Sequence, residues 1–193
     1  MLVERRAEEE SCPLRVRDAG NVSCREMCVK IYTHNMLTAI FGKRALQQLS
    51  ADDYAAWAGE MLVRGYDSRS LRILAGLNRS GSTFEAEGYF DRSIAELNLT
   101  PPDPDAAIRT YACEIARQII EDKITARDGV RSLVSICIAT ECARDFIIWL
   151  ELDEALESLM AGHYPFTYQS ATLDNFDEIV KREAANFIAA VYP

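Results

Sequence analysis

Cys12, Cys24, Cys28 and His34 are ligands of the types that Zn²⁺ favours, and four of them can close a tetrahedral structural site. Their spacing, C-x11-C-x3-C-x5-H, lacks the tight C-x2-C knuckle that makes such a pattern specific. The expectation is therefore incidental thiols, with no metal and no cofactor assigned. A thiol nucleophile needs a low-pKa cysteine beside a base, commonly histidine. The only histidines are His34 and His163, and Cys113, Cys137 and Cys142 fall in apolar helical stretches where a thiol reads as a small packing residue. His163, in a Gly-His-Tyr-Pro stretch, reads as a surface or capping residue near a helix C-terminus. Asn78-Arg-Ser-Gly-Ser82 superficially resembles a phosphate loop, but one glycine and no preceding strand make it a turn followed by an N-cap.

Carboxylates are plentiful and fall at helical spacing. Asp153 and Glu157 are four apart, Glu154 and Glu157 three, and Glu151 lies three before Glu154. These spacings put them on one helix flank. The Glu-x-x-His pattern of helical di-iron sites is absent, which removes the usual metal chemistry of bundles. The flank reads either as a solvated acidic face or as an electrostatic docking surface. Tyr164, Phe166 and Tyr168 follow in a short loop, as binding anchors or as pins that hold the loop to the core. No convergent set of catalytic residue types emerges, so the chain is not expected to be an enzyme.

Composition narrows the function classes further. The chain has 193 residues and a net charge of −9, from 21 Lys+Arg against 30 Asp+Glu. That balance disfavours nucleic acid and anionic membrane surfaces and suits a basic partner. Apolar runs such as Phe146–Leu150 are far short of the ~20 residues that span a bilayer. Charged residues from Glu4 to Glu10 stand where a signal peptide would turn apolar, so a cytoplasmic protein with six reduced cysteines is expected.

The elements that must position these residues are helices. Residues 1–35 hold six acidic and six basic side chains, so the whole net charge resides in 36–193. This leader reads as a loosely ordered arm, or as sequence upstream of a natural start at Met27 or Met36. Beyond it, Leu37, Ile40 and Phe41 open a first segment that Gly42 is expected to interrupt. Ser50–Asp53 and Ser82–Glu85 read as capping boxes. Between them Tyr54, Trp57, Ala58, Met61 and Leu62 form a helical stripe, with Gly65 as its stop. Asp67 or Ser68 caps the next helix, whose core face is Leu71, Leu74 and Ala75. Phe90, Ile94 and Leu97 follow the second box.

Thr100-Pro-Pro-Asp-Pro104 is the main joint, with Asp103 as N-cap and Pro104 at the first helical position. It divides the domain into sub-halves 36–99 and 103–193. Ile108 to Ile120 match the helical template without a break, and Thr125 or Asp128 opens the next helix. There Val130, Leu133, Val134, Cys137 and Ile138 share a face while Ile136 lies off it, which marks a central helix. Helices over roughly Ala143–Met160 and from Phe176 complete an all-α, single-domain bundle of seven or eight helices.

A shift of 62 positions brings Ser70-Leu71 onto Ser132-Leu133, Leu74 onto Ile136 and Phe84 onto Phe146. It also brings Phe90 onto Leu152, Ile94 onto Leu156 and Leu97 onto Leu159. Two stacked helical-hairpin repeats would produce this, and so would chance matches between apolar helices.

The functional expectation is a non-catalytic helical module that binds a basic protein. Immunity proteins that inhibit basic toxins provide a class-level analogy in size and charge. The alternative is a small-molecule sensor or enzyme with a pocket between helices, built on Tyr54, Tyr111, Thr140, Glu141 and Arg144.

Overall fold

The computed structural model describes residues 39–77 and 82–192. The leader, its Cys12, Cys24, Cys28 and His34, and the Asn78–Gly81 turn lie outside the described residues. Among the described residues the regular elements are all helical. They are α1 (39–45), α2 (Ala51–Val63), α3 (Arg69–Ala75), α4 (Thr83–Glu96), α5 (Pro104–Ile120), α6 (Ala126–Ala139), a 3-10 turn (Arg144–Phe146), α7 (Ile147–Met160) and α8 (Phe176–Val191). No described helix is long and apolar enough to cross a membrane.

Local sequence starts and stops most of these helices. Ser50 caps α2 in a closed capping box, accepting from the Asp53 N–H while the Asp53 carboxylate accepts from the Ser50 N–H. Ser68 rather than Asp67 caps α3, Asp103 caps α5 ahead of Pro104, and Thr125 caps α6. The second expected box does not form, because the Ser82 side chain makes no capping hydrogen bond. At the other ends the chain reverses through left-handed residues. Gly65 and Gly162 do this without a Cβ clash, whereas Gln47, Asn98, Asp122, Glu141 and Cys142 do it as non-glycine residues.

Two apolar cores result. The first gathers Ile40, Trp57, Met61, Leu71, Leu74, Phe90 and Ile94 from α1–α4. The second gathers Ile115, Ile119, Leu133, Ile136, Trp149, Leu152, Val180 and Phe187 from α5–α8. Helix α6 packs on α5, α7 and α8, and Ile136 is fully buried, as expected of a central helix. Ile138 departs from expectation and is 65% exposed. Burial of Ile136 rotates the core-facing arc of α6 away from it, since the two positions lie ~160° apart around the helix.

Helix α1 joins the cores. Phe41 meets the Phe90 ring with centroids 5.6 Å apart, and Arg44 forms a two-toothed ion pair with Asp91 (2.6 and 3.0 Å) plus a bond to Glu87 on α4. Lys43 reaches Asp53 of α2 at 2.8 Å and lies 5.8 Å from the centroid of the Tyr111 ring of α5. Leu46, just past α1, packs against the second core. Gly42 does not interrupt this helix. It lets α1 lie flat on α5, where a Cβ would collide with the Ala107 carbonyl and come within 2.6 Å of Tyr111 Cβ.

The 62-residue correspondence is matched at four core positions: Leu71 and Leu133, Leu74 and Ile136, Phe90 and Leu152, Ile94 and Leu156 are all buried. It breaks where Phe84 is exposed and Phe146 buried, and where Ser70 is buried and Ser132 exposed. The corresponding pairs α3–α4 and α6–α7 each pack internally, and among the described residues α1 reaches from one half to the other.

One tie inside the first half sets a pH dependence. Glu96, at the end of α4, accepts from the backbone N–H (2.9 Å) and hydroxyl (2.7 Å) of Ser70 in the first turn of α3. These bonds, with the Ser68 hydroxyl, hold its carboxyl down at about 2, against an ordinary 4.5. A depressed carboxyl contributes stability that is complete above the ordinary value and is lost as pH falls towards the depressed one. Urea midpoints measured from pH 5 down to pH 2 are expected to fall less steeply for Glu96→Gln than for the natural chain. Equal slopes would show that this carboxylate does not stabilise the fold.

Candidate functional site

Helix α7 buries Trp149, Leu152, Ala155 and Leu156 and turns its acidic flank outward. Glu154 and Glu157 are exposed, while Glu151 and Asp153 are half-buried. Among the described residues Glu151, Glu154 and Glu157 have no cation within ion-pair distance. Asp153 differs from them. Its carboxyl is raised by burial and by the neighbouring Glu157, and Arg127 and Arg131 of α6 oppose that rise. It is the member of the flank that already faces positive charge within the chain.

The loop between α7 and α8 supplies the aromatic part. Pro165 is fully buried, and Ala171 is buried against the second core. Tyr168 packs on the same core and donates its hydroxyl to Glu183 of α8 at 2.7 Å, while Arg182 donates to the Tyr168 oxygen at 2.8 Å. Burial pushes the Glu183 carboxyl up, but the bonds from Tyr168, Asn186 and Arg182 outweigh it and leave the group below the ordinary range. Thr172 and Asn175 exchange bonds at the foot of α8, and the Asn175 amide reaches the Ser170 carbonyl. The loop is thus held from one end to the other.

This anchoring separates the three aromatic residues by role. Tyr168 is a pin. Tyr164 and Phe166, on either side of the buried Pro165, stand outward at 58% and 82% exposure and pack edge-to-face with centroids 5.9 Å apart. Between pin and pair, Thr167 donates its hydroxyl to the Glu151 carbonyl at 3.0 Å. That bond lays the loop on the α7 turn from which the acidic flank runs. Two features that are separate in the sequence therefore meet at Glu151, where the loop bearing the aromatic pair is bonded to the helix that carries Glu154 and Glu157.

The polar residues expected around a pocket do not converge. Tyr54 is buried in the first core, Tyr111 lies beneath Lys43, and the exposed Arg144 opens the 3-10 turn. Among the described residues Thr140 and Glu141 line a cleft of about 370 Å³ with Asp105, Ile108, Arg109 and Phe146. A second open cleft of about 470 Å³ lies on the other side of Arg109, against Asp145, Glu183, Asn186 and Phe187. Its charged groups are already engaged, Arg109 with Asp145 at 3.0 Å and Glu183 with Tyr168. His163 is exposed just past α7, its N–H bonded to the Ser158 carbonyl. Among the described residues no three His, Cys, Asp or Glu side chains group as metal ligands.

Cys142 departs from its sequence reading, and Glu114 carries a polar cluster that the sequence reading did not include. Cys113 and Cys137 are buried packing residues, but Cys142 is exposed in the bend after α6 and belongs to no helix. Glu114, in the middle of α5, is buried with Arg117 at 3.4 Å and Gln118 at 3.2 Å, a polar cluster that its position in an apolar stripe does not announce. Neither a protein-family model, nor a curated protein, nor a solved structure matches the chain.

Proposed function

We propose that the chain is a non-catalytic protein-binding module that docks a basic partner on the surface formed by α7 and the following loop. The observation that carries this reading is the exposed Tyr164–Phe166 pair, on a loop anchored to the helix whose Glu151, Glu154 and Glu157 form no ion pair among the described residues. Aromatic anchors supply contact area at little entropic cost when the loop bearing them is already ordered. Carboxylates around them steer a basic partner and fix its register. An inhibitor of a basic protein, of the immunity type, is one form such a module takes. The α7 carboxylates and the aromatic pair then have distinct effects on binding.

The test compares proteins retained from cell extract by the natural chain, by Glu151→Lys/Glu154→Lys/Glu157→Lys and by Phe166→Ala. Retention by the natural chain is expected to fall as salt is raised. The charge reversals are expected to abolish it, and Phe166→Ala to weaken it by roughly 30-fold, the ~2 kcal/mol of an interface hot spot. Circular dichroism should be unchanged throughout, because all four side chains lie outside the core. Binding that is indifferent to salt and to all these changes would place the docking surface elsewhere.

The reading of a small-molecule pocket has one observation in its favour, the pair of clefts flanking Arg109. Both are open, and the charged groups of the larger are already paired, Arg109 with Asp145 and Glu183 with Tyr168, whereas ligand sites enclose most of the ligand and leave polar groups to meet it.

A further inference from the structure

The α6–α7 corner is the most strained turn among the described residues. Glu141 (φ 54°) and Cys142 (φ 56°) are consecutive non-glycine residues in the left-handed region, which side chains with a Cβ disfavour. Such outliers persist where surrounding contacts over-determine them. Here the contacts are the Glu141 N–H bonded to the Ile138 carbonyl at 3.1 Å and the Cys142 N–H bonded to the Cys137 carbonyl at 2.7 Å. The second bond folds Cys142 directly back over Cys137.

Its length bounds the distance between the two cysteines. The Cα–O span of a residue is about 2.4 Å and the N–Cα bond about 1.46 Å. With the 2.7 Å bond between them, the two Cα atoms are at most about 6.6 Å apart, inside the ~4.4–6.8 Å range of disulfides. The side chains are also neighbours, since the Cys142 thiol raises that of Cys137. Cys142 is exposed, whereas Cys137 has no accessible surface. One thiol is open to solvent and the other is held behind it.

We infer that Cys137 and Cys142 form a site of reversible oxidation, at which a hydroperoxide converts the two thiols to an intramolecular disulfide. In the first step the Cys142 sulfur attacks the peroxide, an S–O bond forms and the O–O bond breaks. Cys142 is oxidised to a sulfenic acid while one peroxide oxygen leaves as water, or as an alcohol from an organic hydroperoxide. In the second step the Cys137 sulfur attacks the Cys142 sulfur, the S–S bond forms, and the hydroxyl leaves as water with the Cys137 proton. Two thiols and one hydrogen peroxide give one disulfide and two waters.

The order of steps follows from the environments. Burial and the adjoining Cys142 thiol push the Cys137 thiol up to about 11, which suits a resolving thiol that stays protonated until a sulfenic acid is beside it. The bridge closes a short ring at the end of α6 and fixes the corner that forms one wall of the smaller cleft beside Arg109. It does not depend on the docking surface.

The test uses the full reduced chain, treated with hydrogen peroxide, denatured, alkylated and digested with trypsin. Cleavage after Arg131 and Arg144 releases residues 132–144, which contain Cys137, Cys142 and no other cysteine. After oxidation this peptide is expected about 2 Da below its reduced mass, without alkyl groups, and to regain both after dithiothreitol. Cys137→Ala, a small apolar replacement for the buried thiol, is expected to stop at a Cys142 sulfenic acid trapped by dimedone. Cys142→Ser is expected to leave Cys137 fully alkylated. The inference is overturned if Cys142 proceeds to sulfinic acid while Cys137 stays a free thiol. It is equally overturned if either cysteine bridges instead to Cys12, Cys24, Cys28 or Cys113, or if both remain thiols at doses that oxidise another cysteine of the chain.

Discussion

Phe90→Ala is expected to lower the unfolding free energy by about 3–5 kcal/mol, the range for removing a fully buried aromatic ring. Phe90 has no accessible surface and is the hub of the first core. Phe41, Tyr54 and Trp57 pack on it with centroids 5.6, 5.1 and 4.8 Å away, and the Arg44 guanidinium lies 5.3 Å from its centre. Truncation leaves a cavity bounded by three aromatic side chains that cannot easily collapse into it, and it removes ring–ring contacts worth ~0.5–1.5 kcal/mol per pair beyond burial. Phe84, six residues earlier on the same helix, is 85% exposed. Phe84→Ala should stay within about 0.5 kcal/mol of the natural chain. Urea denaturation of the two variants measures both, and comparable losses would mean that the first core is not organised around Phe90.

Gly42→Ala and Gly59→Ala are the same substitution in two helices, and they are expected to act in opposite directions. A Cβ at Gly59 meets nothing within 4 Å, so alanine should stabilise by roughly 0.5–1 kcal/mol through helix propensity alone. A Cβ at Gly42 runs into the Ala107 carbonyl and the Tyr111 Cβ. Both are near-backbone atoms of α5 that no rotamer change can clear, so α1 must lift. That should cost about 1–3 kcal/mol after the propensity gain is offset. Thermal unfolding of the pair checks the signs, and a Gly42→Ala variant as stable as Gly59→Ala would show that α1 does not seat closely on α5.

Gly42 also illustrates where sequence reasoning reached and where it stopped. Helix interiors and most starts were legible, because apolar residues at 3.6-residue spacing and the caps Ser50, Asp103 and Thr125 are local signals. Gly42 gave the wrong local signal, since its reason for being glycine is a helix 65 residues away. Ile138 failed similarly: which arc of α6 is buried depends on how many neighbours it has. The acidic flank was readable from spacing alone. That Asp153 faces Arg127 and Arg131, that Tyr168 is a pin, and that Thr167 brings the loop onto α7 all rest on side chains meeting across different elements. The Cys142 turn was the least legible feature, because nothing in Thr-Glu-Cys-Ala marks two successive left-handed residues.

The placement of α1 between the two cores has a consequence for how the protein comes apart. Each core taken alone is a small set of helices, and sets with few mutual contacts open as separate units with separate free energies. A single helix whose aromatic and ionic contacts go to α2 and α4 and whose glycine face is seated on α5 cannot leave one core without loosening the other. Amides of α2–α4 and of α5–α8 should therefore exchange with a common largest opening free energy rather than two. Weakening α1 should split that value in two, so that a short segment sets the cooperativity of the whole.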